Sequence, residues 1–172
     1  MNFILRLFLT FSSVSYFIVV YLIHNGMFFS INGLLKTKWQ TCLLYATIPV
    51  VLTLISLTLC RLLSTSTVSK VNSIETSNND FLANYLAFFF VALSVNDTVT
   101  FWVVFGLTIV FTFYSRVSFF NPMLLVFGYN FFYIKTNENV KVMLISKEKL
   151  KSPQTFSIME VRRINDYTFI EV

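Results

Sequence analysis

Thr41 to Cys60 reads TCLLYATIPVVLTLISLTLC. These twenty residues carry no charge, and a helix that crosses the hydrocarbon of a bilayer needs about 20. Pro49 lies inside the run and predicts a kink, because proline removes one backbone donor and crowds the preceding turn. Arg61 closes the run on one side. On the other, Trp39, Phe28 and Phe29 suit a headgroup boundary, with Lys36 and Lys38 placed to snorkel and Asn32-Gly33 marking a turn.

The rest of the chain agrees with that reading. Its 172 residues are 56% hydrophobic, 18% aromatic and only 12% charged, with mean hydropathy +0.71. A water-soluble domain carries about 25% charged residues. The composition excludes a disordered tail, a coiled coil and a secreted disulfide scaffold. An integral membrane protein is expected.

Three further apolar runs flank the first. Leu7 to Ile23, preceded by Arg6, has no small-residue cleavage site after it and reads as an uncleaved signal-anchor helix. Phe81 to Val95 and Val99 to Tyr114 are split by Asn96-Asp97-Thr98, which predicts a tight helix-turn-helix with Asp97 in water; a re-entrant hairpin is the other geometry. At 15 and 16 residues these two helices reach only ~22–24 Å, so bilayer thinning or extended ends are needed to cross. Between the second and third runs, Arg61 to Asp80 is rich in Ser, Thr and Asn and reads as a polar loop, with Asp80 available to cap the next helix.

The C-terminal third changes character. Asn121-Pro122 marks a boundary, and the aromatic and β-branched residues up to Ile134 read as a strand with Gly128 as a bulge. A turn at Thr136–Asn139 leads to a second strand over Val140–Ser146, making a hairpin, and Phe156–Val161 and Tyr167–Val172 add two short strands. The expected fold is a membrane all-α protein. Residues 1–118 hold a four-helix transmembrane bundle (7–23, 41–60, 81–95, 99–114), and residues 119–172 a small β-rich cytoplasmic domain.

Thirteen Lys and Arg face eight Asp and Glu, a net charge of +5. Placing both termini in the cytoplasm puts Arg6, Arg61, Lys70, Arg116 and the basic C-terminal segment inside, as the distribution of positive charge requires. The scattered bases suit anionic headgroups, and without a recognition motif direct contact with nucleic acid is not expected. Cys42 and Cys60 lie ~27 Å apart if they share a helix, beyond disulfide reach, and read as packing residues.

No catalytic constellation is legible. His24 has no acid or thiol near it in sequence, HExxH, P-loop and GxGxxG motifs are missing, and four glycines cannot build a phosphate cradle. No cofactor, metal or enzymatic activity is therefore expected. The polar groups within the runs are hydroxyls and Asn84, which suit helix packing; an oligomeric channel or pore is the alternative reading. The remaining class is an anchor that displays a soluble surface to a partner. Its candidate contacts are Tyr129, Tyr133, Lys147, Lys149, Lys151, Arg162 and Arg163, although the two tyrosines could equally pack the domain's own core.

Four short apolar runs, then Asn121-Pro122, Gly128-Tyr129-Asn130-Phe131-Phe132-Tyr133, Val142–Lys149 and Arg163-Ile164-Asn165-Asp166-Tyr167, resemble the small membrane subunit of the Kiwa anti-phage defence system. The resemblance implies a four-span protein of the bacterial inner membrane that assembles with itself and recruits a cytoplasmic, DNA-binding partner. It carries no catalytic residues. In that setting, membrane perturbation would alter helix packing and reposition the C-terminal domain.

Overall fold

The computed structural model describes residues 3–28, 37–68, 71–115, 121–136, 140–150, 153 and 159–171. Among them are five helices: α1 (Phe3–His24), α2 (Lys38–Cys60), α3 (Asn78–Ser94), α4 (Thr98–Tyr114) and α5 (Pro122–Val126). Six strands, β1 (Thr65–Val68), β2 (Val71–Thr76), β3 (Asn130–Thr136), β4 (Lys141–Ser146), β5 (Met159–Asn165) and β6 (Thr168–Ile170), form one sheet in the order β1-β5-β6-β4-β3-β2. Neighbouring strands are antiparallel except β4 and β6, which run parallel.

α1 is the centre of the helical layer and packs against α2, α3 and α4. Its Val14, Phe17 and Tyr21 meet Ala92, Phe101 and Phe105 in one buried cluster. Tyr21 stacks on Phe101 at 3.6 Å between ring centroids and donates its hydroxyl to Thr98 Oγ1. At the other end of α1, Arg6 Nη2 donates to the Phe113 carbonyl at 2.6 Å, so α1 and α4 run antiparallel.

α2 is inverted relative to a helix of a water-soluble domain, whose apolar stripe faces inward. The buried residues of α2 are Thr41, Tyr45, Pro49, Thr53, Ser56 and Cys60, a single face at spacings of three and four. Its Leu43, Ile48, Val51, Leu54 and Ile55 point outward and are exposed. Hydroxyls can be buried here because they bond back to the helix: Thr53 Oγ1 donates to the Pro49 carbonyl at 2.7 Å and Ser56 Oγ to that of Leu52 at 2.8 Å. α4 likewise exposes Val99, Trp102, Val103, Leu107, Val110 and Phe111, while the residues it buries are Phe101 and Phe105.

The sheet is buried on both faces through its centre, which is why β3 and β4 read as continuous apolar runs. Phe131, Met143, Ile145 and Ile170 join Leu9, Tyr16, Cys60, Tyr85 and Leu124 beneath the helices. The alternate residues, Phe132, Ile134, Val142 and Leu144, form a second core with Val68, Val71 and Val161 on the opposite face. β1 and β2 occupy opposite edges although only residues 69 and 70 separate them. Val68 and Val71 are thus within about 11 Å of each other, and both belong to that second core, so the sheet curls until its edges approach.

Several expectations need correction. The protein is not a four-span transmembrane bundle. Among the described residues α1 and α2 alone are long and apolar enough to cross a membrane, by length and composition, and more than half of the apolar stretch of α1 is covered by the protein itself. α3 and α4, at 17 residues each, reach ~25 Å against a hydrocarbon thickness of ~30 Å. Nor are the strands confined to the C-terminal third. The segment read as a polar loop supplies β1 and β2, which pair with Arg162-to-Met159 and Thr136-to-Phe132 respectively.

Asn121-Pro122 opens a helix instead of a strand, because Asn121 Oδ1 accepts from the Met123 N–H and Pro122 takes the first-turn position, where it sacrifices no hydrogen bond. Gly128 turns the chain from α5 into β3 at φ +83°, and is not a bulge within a strand. Ser77, not Asp80, sits at the N-cap of α3. Asp97 does cap α4, accepting from the Thr100 N–H at 2.7 Å, and is exposed.

Candidate functional site

One face of the sheet is only half covered. Beneath the helices lies the row Phe131, Ile145 and Ile170; two residues further along the strands the same face presents Glu75, Tyr133, Met143 and Thr168, which are paired across β2, β3, β4 and β6. There a groove of ≈ 380 Å³ opens, lined by Tyr133, Lys141, Met143, Tyr167 and Thr168 with Val140 and Val142. Lys141 Nζ lies 4.2 Å from the Tyr133 ring centroid and 3.6 Å from Glu75 Oε2. The tight turn between β5 and β6 holds Tyr167 in place, its N–H bonded to Asn165 Oδ1 and its carbonyl accepting from the Met143 N–H. Two aromatic rings, a lysine and a thioether around a shallow groove can grip an extended or aromatic-bearing segment.

The other sequence-derived candidates divide between two places. Tyr133 lines the groove. Tyr129 and Lys147 lie at the opposite end of β3 and β4, where Lys147 Nζ sits 4.8 Å from the Tyr129 ring. Tyr129 is buried in the core under the helices, and that burial, reinforced by the charge of Glu171, raises its phenol above the usual range. Lys149 is exposed near the same end, and Arg162 Nη1 donates to the Leu63 carbonyl at 3.1 Å. Arg163 is tied to Asp166. Lys151 lies outside the described residues.

A third feature is buried between the layers. Asn121 Nδ2 donates to Ser12 Oγ at 3.1 Å and to Thr53 Oγ1 at 2.7 Å; its Oδ1 accepts from the Tyr16 hydroxyl at 2.9 Å and the Met123 N–H at 3.0 Å. One side chain thereby joins α1, α2 and α5. Beside it is a cavity of ≈ 20 Å³ bordered by Thr53, Ser56, Cys60 and the sheet residues Ile145, Ile164 and Ile170.

Sequence reasoning missed Lys141, Tyr167 and Glu75. Lys141 was within reach: strand parity places it on the face of Met143, and the hairpin register sets Met143 opposite Tyr133. Glu75 carried no such signal, since its strand was read as loop.

The structure defines an α+β protein with an apolar-surfaced helical layer and a sheet that carries a groove. Among the described residues no group of three or more His, Cys, Asp or Glu is placed to hold a metal ion. The chain belongs to the anti-phage protein KwaA family, which it matches over residues 5–170. It is thus a component of anti-phage defence, as the Kiwa resemblance implied, and membership of such a system implies partners within a defence complex. No curated protein and no solved structure matches the chain.

Proposed function

We propose that the protein is a non-catalytic membrane-anchored sensor and scaffold of the defence system, whose helical layer lies in lipid and whose sheet faces the cytoplasm to recruit a partner. The inverted α2, together with the apolar outer face of α4, carries this reading. In α2 an outer surface of Leu, Ile and Val over an inner face that carries Thr41, Thr53 and Ser56 is unfavourable in water and natural in hydrocarbon, where helices associate through small and polar side chains. Arg6 and Arg61 stand at the sheet end of the layer while Lys38 stands at the other, and this bias favours a cytoplasmic sheet. Self-assembly through the outward faces accompanies it, because an exposed apolar helix surface of this kind also packs on a second copy.

The groove at Tyr133, Lys141 and Tyr167 lies at the end of the sheet opposite Tyr129 and Lys147 and is the recruiting surface. The test combines fractionation with capture from the native host. The full chain sediments with membranes, and mild detergent releases it together with a soluble partner. Tyr133→Ala combined with Lys141→Glu lowers partner capture and leaves sedimentation unchanged. Recovery of the chain in the soluble fraction without detergent refutes the anchor; undiminished capture by the double variant refutes the groove.

A further inference from the structure

The end of the sheet that abuts the helical layer gathers a second set of charged groups. Cys60, the last residue of α2, packs in the same buried cluster as Tyr129, and Arg61 follows it, close enough for its charge to act on the Tyr129 phenol. Lys147 reaches the same ring from the end of β4. Arg162 is fastened to the carbonyl of Leu63, two residues beyond Arg61. The acids nearby are Glu171 and Glu148. Glu171 Oε2 is held by the Ser146 hydroxyl and the Lys147 N–H and keeps its charge; against the bases Arg61, Lys147 and Arg162 the two acids still leave a positive excess.

The level of this cluster along α2 is set by length. Trp39, 81% exposed, marks one end of the helix and Arg61 follows the other. Twenty-two residues at ~1.5 Å each separate them by ~33 Å, against a hydrocarbon core of ~30 Å. Trp and Arg are the side chains that settle at the two boundaries of such a core. Leu62, 82% exposed, adjoins Arg61 at the same boundary.

From this juxtaposition we infer that Arg61 and Lys147, flanking Tyr129, hold the phosphodiester of an anionic phospholipid in the cytoplasmic leaflet. Arg61 supplies a planar donor fork, Lys147 a mobile point charge, and Leu62 a contact with the upper acyl chain. The inference rests on the lipid-embedded reading of the helical layer. It assigns to lipid two bases that would otherwise be free for a protein partner.

The experiment titrates the detergent-solubilised full chain with fluorescent phosphatidylglycerol or fluorescent phosphatidylcholine in mixed micelles. Each base near an anionic surface contributes roughly a fivefold preference, so Arg61→Gln with Lys147→Gln weakens phosphatidylglycerol binding by about 25-fold. Phosphatidylcholine binding is weaker in the parent chain and does not change in the variant. Arg61→Lys with Lys147→Arg retains most of the preference, which separates loss of charge from misfolding. Lys135→Gln, at the far end of the sheet, retains it in full. Equal binding of the two lipids by the parent chain, or full competition by inorganic phosphate, overturns the assignment while the anchor stands. A chain that needs no detergent overturns both.

Discussion

Replacing Asn121 with alanine removes the one side chain that joins α1, α2 and α5. Four hydrogen bonds disappear together. The stranded acceptors cost little, because Thr53 still donates to its own backbone at Pro49. The stranded donors cost more: the Tyr16 hydroxyl and the Met123 N–H are left in a site where Asn121 is only 5% exposed. An unsatisfied buried donor costs about 1–3 kcal/mol, and the lost α5 cap falls within that range. The expected destabilisation is about 3 kcal/mol, or more than a hundredfold in the unfolding equilibrium. The assay is reversible denaturant unfolding of the full chain in detergent, run as a double-mutant cycle with Tyr16→Phe. Removing the Tyr16 hydroxyl takes away one stranded donor, so the double variant is less destabilised than the sum of the singles by about 1 kcal/mol. A cost below about 0.5 kcal/mol for Asn121→Ala, or strict additivity in the cycle, refutes the hub as a structural tie.

Phe101→Ala empties a site that is 0% exposed and removes the stacking partner of Tyr21 and Phe105, with an expected loss of about 3–5 kcal/mol in the same unfolding assay; a loss under about 1 kcal/mol means the layer repacks freely. The Thr100 N–H and hydroxyl hold the Asp97 carboxyl below its ordinary value of 3.8, so its contribution is complete above that pH and is lost as pH falls through the lower folded value. Acid titration of Asp97→Asn therefore shows a shallower loss of stability below pH 3.8 than the parent chain, and identical slopes count against the cap. Gly128→Ala meets open space and suffers only the backbone cost of φ +83°, about 1–2 kcal/mol; a neutral or stabilising outcome shows that the α5–β3 turn adopts another conformation.

The four long helices were legible because each apolar run is longer than a strand and uncharged, and the structure starts them only a few residues earlier than the runs suggest. The β3–β4 hairpin was legible for a related reason: both partners lie close in sequence around a turn. β1 and β2 were not. Thr65–Val68 and Val71–Thr76 are short and polar, and they become strands only through partners far along the chain, at Arg162 and Ile134. The number of membrane-competent helices was over-read, since composition alone could not distinguish 17 residues packed on α1 from a full crossing. Asn121 was recognised as a boundary residue, but its partners at Ser12 and Thr53 lie on other helices, and nothing local to Asn121-Pro122 points to them. Of the seven candidate contacts, the structure sets Tyr129, Lys147 and Arg162 near one end of the sheet and Tyr133 at the other, a division that follows from strand register.

The two edge strands also constrain biosynthesis. Thr65–Val68 has no hydrogen-bonded neighbour until residues 159–165 have been made, so most of the polypeptide must leave the ribosome before the sheet can form. Non-local pairing of this kind is slow, and an unpaired strand edge invites association with other chains during the wait. Shortening the protein by its last fifteen residues would therefore not trim a tail: it would strand the first rim of the sheet, formed some ninety residues earlier, and expose the nascent chain to quality control.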